Sequence, residues 1–262
     1  MTDHQFQIIL DSFHTYADRF IRESDDNLPY ILKKEHTLAV VANIDILCTE
    51  LALNAQETFL ARTSALLHDF GRFRQYETWN TFSDGASTDH ASLGVAEIEA
   101  HQILDRLNAR EKADITASVA VHNKFSVPEK MTPRAKLLSR LVRDADKIDI
   151  YRVMAEKYLQ DRSLRKEENQ FITLGLEESQ EISDHLVQQL FEHKLLDKNE
   201  VKTLNDLKLL QVSWLFDLNF CQSICLVRKR GHLERIFNTL PQTPRIRELE
   251  AFIQSFVSRV VC

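Results

Sequence analysis

Apolar residues recur along this chain at intervals of three and four, the spacing that lines one face of a helix, and the pattern persists almost from end to end. Phe6, Ile9, Leu10, Phe13, Phe20 and Ile21 form one stripe, and a second helix starting near Pro29 carries Leu38, Val41, Ile44 and Leu51. A third is expected from about Ala55 to Asp69, ending at Gly71, a residue suited to the left-handed position just past a helix. The next segment, "RFRQYETWNTFSDGASTD", has no clear period. It reads as a long loop over 72–88, and loops of that length are usually functional or mobile.

Order returns at a fourth helix that begins at His90, with Ser87, Thr88 or Asp89 available to cap it. A fifth spans about Arg110 to Asn123, buries Ile115, Val119 and Ala120, and holds His122 in its last turn. The sixth starts near Pro133, turns Leu138, Leu141, Val142, Ala145, Ile148 and Val153 inward, and carries Asp146 in its middle. Beyond residue 160, "QDRSLRKEENQ" lacks apolar spacing and reads as a solvated connection. Amphipathic segments then resume near 176–196, 200–221, 223–240 and 243–261. The expected fold is all-α: one helical domain over 1–262, with the last hundred residues packing on or capping the first hundred and fifty.

Composition narrows the class further. Five glycines and five prolines in 262 residues leave little material for the turns of an all-β or alternating βα chain. A formal net charge of −6 argues against a general binder of duplex nucleic acid, which needs clustered Lys and Arg. The opening "MTDHQFQIILDSF" lacks the basic and apolar regions of a signal peptide, and no run approaches a spanning helix, so a cytoplasmic location without membrane contact is expected. Cys48, Cys221, Cys225 and Cys262 offer no second close pair for a zinc site and are expected as small buried residues in a reducing compartment.

The candidate chemistry starts at "ALLHDFGRF", where His68 and Asp69, both costly to bury, end an apolar helix. A metal ion would account for both. Neighbours on one helix diverge by about 100°, so the two cannot share a face in mid-helix, but at a terminus they can flank an ion. His36 and Asp146 from neighbouring helices complete a mixed nitrogen and oxygen set. His90 and His122 also stand at helix ends, whereas His4, His14, His101, His185, His193 and His232 fall where surface or partly satisfied positions are expected.

The order His36, then His68 and Asp69, then Asp146 resembles the signature of the HD-domain superfamily of metal-dependent phosphohydrolases, whose fold is all-helical. The likeness covers about residues 29–155, leaving a helical extension over about 160–262. It implies one metal held by His36, His68, Asp69 and Asp146 and a second held by His90 and His122, with Asp69 bridging. The ions would be one or two divalent transition metals among Fe, Mn, Zn, Co and Ni. By the same likeness, the paired cations lower the pKa of a shared water, and the resulting hydroxide attacks a small phosphorylated substrate, a nucleotide phosphomonoester or phosphoanhydride.

Arg72, Lys124 and Lys147 are the expected phosphate contacts, although each has a plain surface role open to it. Asp84 and Asp89 are candidates to orient liganding imidazoles. Tyr76, Trp79 and Phe82 either stack on a base or sugar or plug the core. Arg143, Asp144 and Asp149 are expected in surface ion pairs. The region "HNKFSVPEK" lacks the further His pair and Gly-Tyr-Pro motif of the cyclic-dinucleotide phosphodiesterases, which argues against that substrate class. A nucleotide-sensing protein without turnover and a dinuclear iron oxygenase are the alternatives on the same scaffold.

Overall fold

The computed structural model describes residues 2–159, 176 and 180–261, and among them every regular element is a helix. The helices are α1 (Thr2–Glu23), α2 (Leu28–Glu50), α3 (Ala55–Leu67), α4 (Phe70–Trp79), α5 (His90–Ala100), α6 (Ala109–Val121), α7 (Pro133–Leu159), α8 (Asp184–Phe191), α9 (Leu204–Ser213), α10 (Cys221–Arg230), α11 (His232–Phe237) and α12 (Pro244–Arg259). The chain divides into two compact units, Met1–Asp149 and Ile150–Cys262. No described helix is long and apolar enough to cross a membrane. The charged stretch "QDRSLRKEENQ" lies outside the described residues.

Local signals explain the helix starts in the first unit. Pro29 sits in the first turn of α2, where its missing N–H costs nothing. Asn54 opens α3 and Asn108 opens α6 with the same reciprocal device: the Asn side chain accepts from the third backbone N–H, and Glu57 or Glu111 returns to the Asn backbone. The core beneath is aromatic. Phe13, Tyr16 and Phe20 of α1 meet Phe70 and Phe73 of α4, with the Tyr16 and Phe70 rings stacked 3.9 Å apart. All five are buried, and side chains of this size each remove on the order of 150–250 Å² from water.

That core corrects the expected loop over 72–88. Its first half is α4, whose successive turns bury Phe70, Phe73 and Tyr76. The aromatic residues themselves carry the helical period there, and charged neighbours hide it from a hydropathy reading. Gly71 is likewise not a left-handed cap. It lies inside α4, and a Cβ there would sit 2.3 Å from the His90 carbonyl oxygen and 2.5 Å from the Gly94 nitrogen. The glycine lets α4 lie directly on the start of α5. Helix α3 accordingly stops at Leu67, and His68 and Asp69 form the corner between α3 and α4.

In the second unit, Thr203 and Asp206 form another reciprocal cap at α9. The Tyr151 hydroxyl donates to the Gln211 carbonyl at 2.9 Å. Gly231 takes a left-handed conformation between α10 and α11. Of the cysteines, Cys48 is buried as expected, but Cys221 is exposed and Cys225 is disulfide-bonded, which corrects the expectation of uniformly buried free thiols. His232 is buried rather than at the surface.

Candidate metal centre

Four helix ends and two helix interiors supply the site. His36 comes from the third turn of α2, His68 and Asp69 from the α3–α4 corner, His90 from the first residue of α5, and His122 from the residue that follows α6. Asp146 comes from the middle of α7, which is tied to α2 by Asn43 donating to the Ala145 carbonyl at 2.9 Å. Five of these six side chains are buried, and Asp146 is partly open to water.

The shared element is the Asp69 carboxylate. Its Oδ2 lies 3.6 Å from His68 Nε2 and 3.9 Å from His36 Nε2. Its Oδ1 lies 3.4 Å from His90 Nε2 and 3.8 Å from His122 Nε2. Asp146 Oδ1 joins the first set at 3.0 Å from His36 Nε2 and 3.8 Å from His68 Nε2. Donor atoms bound about 2.1 Å from a common ion are separated by about 3.0–3.4 Å, so both groups are close to the spacing a transition-metal ion imposes. His36, His68 and Asp69 form one group that can hold an ion, and Asp69, His90 and His122 form another.

Hydrogen bonding at the far side of each ring sharpens the fit. The Nδ1 atoms donate outward, each at 2.7 Å: His36 to Asp149, His68 to the Ala65 carbonyl, His90 to Asp84, and His122 to the Val119 carbonyl. A carbonyl or carboxylate can only accept, so in each neutral ring the lone pair is on Nε2 and faces inward. His68 Nε2 is buried without a hydrogen-bond partner, an orphaned acceptor aimed into the site. His90 Nε2 and His122 Nε2 are 3.0 Å apart. Two lone pairs at that distance repel each other unless a cation or proton lies at their focus, so the residues fit a metal.

Burial and charge set the protonation pattern. Burial pushes the His68 imidazole down to about 4, against the pull of Asp69 and Asp146. Burial likewise takes His90 down to about 4, against its hydrogen bond to Asp84. For His36 burial acts downward, but hydrogen bonds to Asp146 and Asp149 outweigh it and raise the pKa to about 9. Asp69, despite burial, is held well below the usual carboxylate range, first by Lys33 and then by His68.

Ligation requires neutral imidazole, so ion uptake at pH 7.5 must expel the His36 proton, while His68 and His90 contribute none. We expect release of about one proton per protein and tighter ion binding as pH rises toward 9. Calorimetric titration in buffers of different ionisation enthalpy measures this. A proton count near zero would contradict the His36 assignment.

Several of the other expected residues take different places. Asp84 does orient an imidazole, that of His90, and Arg72 and Gln75 hold Asp84 at 3.0 and 2.9 Å. Asp89 precedes α5 but makes no capping bond to its backbone; it accepts from Asn123 at 2.6 Å and from Lys124 at 3.0 Å. Lys124 is therefore paired with Asp89 on the surface. Arg72 is a strut: its Nη1 donates to Gln75, to the Phe82 carbonyl and to Asp84, and its Nε faces Asp69 Oδ1 at 3.4 Å. Lys147, beside Asp146 on α7, is half-buried.

Arg143, Asp144 and Asp149 are buried, not at the surface. Arg143 donates to the carbonyls of His122, Lys124 and Phe125 just past α6, where the helix leaves unpaired acceptors. Tyr76 belongs to the core, Trp79 is exposed, and Phe82 lies against Tyr76.

Two residues of the site escaped the sequence reading. Lys33 Nζ donates to Asp69 Oδ2 at 2.9 Å, and Asp149 orients His36. Each lies three positions from a ligand on the same helix, Lys33 before His36 and Asp149 after Asp146, a spacing that places side chains side by side. Replacing a carboxylate that orients a liganding imidazole typically weakens metal affinity 10- to 100-fold. We expect Asp149→Asn to weaken the ion at His36 and Asp84→Asn the ion at His90, each about tenfold, read from competition with a metallochromic chelator. Equal weakening of both ions by either variant would count against separate sites.

A helical bundle whose helix ends direct imidazoles and a shared carboxylate into one buried focus defines a metal-centre class of all-α protein. Residues 34–151 match the HD domain family, and this stretch of the chain is an HD domain. Such domains bind divalent metals and are generally metal-dependent hydrolases. No curated protein and no solved structure matches the chain significantly.

Proposed function

We propose that the chain is a metal-dependent phosphohydrolase acting on a small phosphorylated substrate, a nucleotide phosphomonoester or phosphoanhydride. The observation that carries this reading is the Asp69 carboxylate, which turns one oxygen to His36 and His68 and the other to His90 and His122. In this reading His36, His68, Asp69 and Asp146 hold one divalent ion, and Asp69, His90 and His122 hold a second. Two such ions would supply Lewis-acid neutralisation of phosphoryl oxygens and a lowered pKa for water.

The chain's own residues prepare that chemistry. Outward Nδ1 bonds hold the imidazole lone pairs inward, so little reorganisation is needed when charge develops. Arg72 clamps the Phe82–Asp84 segment against Asp69, which keeps the site's rim in place. Asp146 is the ligand most open to water, and Lys147 next to it is a candidate contact for the phosphate.

The test is phosphate release from a panel of nucleotides and simple phosphomonoesters by protein loaded with Mn, Fe, Co, Ni or Zn, alongside metal analysis of untreated protein. Metal-stimulated turnover is expected. Absence of both bound metal and turnover would defeat the proposal. Stabilisation by nucleotides without turnover would redirect it to a sensor, and oxygen consumption with reduced iron to an oxygenase.

A further inference from the structure

We infer that Lys33 is a substrate-binding cation of this site: its ammonium, which lies against Asp69, engages the substrate's phosphoryl oxygens once the ions are bound. The inference rests on the phosphohydrolase reading above and names a residue outside the ligand signature.

Three observations place Lys33 in this role. First, it meets Asp69 at Oδ2, the same oxygen that faces His36 and His68. An ammonium at 2.9 Å from that oxygen and a divalent ion on it are like charges in competition for one acceptor. The ammonium therefore sits beside the oxygen that a metal ion would use. Second, Lys33 is not locked. Its side chain is 23% exposed, and besides its pair with Asp69 its ammonium lies over the face of Phe82, with Nζ 5.3 Å from the ring centroid. That is a weak and displaceable partner, and a flexible four-carbon stem lets the charge move a few ångströms without disturbing α2.

Third, Arg72, Arg143 and Lys124 are committed elsewhere. Arg72 spends its guanidinium on Asp69, Gln75, Phe82 and Asp84, Arg143 is buried against backbone carbonyls, and Lys124 is paired with Asp89. Lys33 combines contact with the shared ligand, access to water and freedom to swing. Like charge would then drive the ammonium away from a filled metal site. An anion bound over the ions offers it a new acceptor, and a charge-assisted hydrogen bond of that kind is worth about a 10- to 100-fold change in affinity.

The experiment measures binding of inorganic phosphate to metal-loaded protein by calorimetry, with metal content determined on the same samples. Lys33→Met keeps the length and apolar stem without the charge, and Lys33→Arg restores a cation. The expected result is unchanged metal content, phosphate affinity about 10- to 100-fold lower in Lys33→Met, and substantial recovery in Lys33→Arg. Melting curves of both variants establish that they are folded.

Phosphate affinity in folded Lys33→Met equal to that of the unaltered protein would overturn the inference, leaving Lys33 as a counter-charge for Asp69 alone. Loss of metal from Lys33→Met would also overturn it, because the residue would then act on the ions. If the unaltered, metal-loaded protein binds no phosphate and releases none from any phosphorylated substrate, the hydrolase reading itself falls. That outcome is distinct from the first two.

Discussion

Asp69→Asn is expected to bind at most one ion and to turn over on the order of 10³-fold more slowly than the unaltered protein. The amide keeps the shape of the carboxylate but offers one ligating oxygen, whereas the proposed pair of ions uses two: Oδ2, which faces His36 and His68, and Oδ1, which faces His90 and His122. Metal stabilisation of transition-state charge is worth several kcal/mol, and about 4 kcal/mol corresponds to the stated rate loss. The ion-free protein should suffer as well, because Lys33 and Arg72 lose the anion they share. Breaking one side of a buried ion pair costs about 3–5 kcal/mol. The partly exposed Lys33 can turn to water, which favours the lower end. Metal analysis and single-turnover kinetics provide the readout. Two ions and full activity in Asp69→Asn would remove the shared carboxylate from the account.

Gly71→Ala should be the most damaging conservative change outside the ligands. The added Cβ would meet the His90 carbonyl oxygen at 2.3 Å, the Gly94 nitrogen at 2.5 Å and the Gly94 Cα at 2.9 Å. All three are backbone atoms, so no rotamer change relieves the clash and α5 must move away from α4. Overpacking of this kind costs about 3 kcal/mol, or roughly 6–12 °C in melting temperature for a protein near this size. His90 heads α5, so the shift also pulls its Nε2 away from His122 and Asp69.

The predicted signature is therefore a lower melting temperature together with selective loss of the ion held at His90 and His122. Gly85→Ala is the control, since a Cβ there meets nothing within 4 Å. A change of less than about 0.5 kcal/mol is expected for it. Equal melting and metal content in Gly71→Ala and Gly85→Ala would show that α4 and α5 are not held at this separation.

Most of the helical order was legible in the chain because apolar spacing and caps are local. Pro29, Asn54, His90 and Pro133 all lie at or within a residue or two of helix starts. The failure at 72–88 has a local cause too. Helix α4 buries large aromatics among Arg72, Arg74 and Glu77, so its average polarity is that of a loop although its period is helical. Gly71 was misjudged because a glycine next to a helix end satisfies the sequence rule for a cap equally well. Only the neighbouring helix, absent from the local pattern, reveals that backbone closeness is what it provides.

For the site, residue types and their order suffice to nominate His36, His68, Asp69, His90, His122 and Asp146, since imidazoles at helix ends inside apolar stretches are costly without a partner. Which oxygen of Asp69 faces which pair, which ring is protonated, and that Lys33 and Asp149 complete the arrangement depend on contacts between residues up to 113 positions apart. A one-dimensional pattern records what each helix must bury. Orientation and proton position are set by distances between helices and by the low dielectric they enclose, and these exist only once the chain has folded.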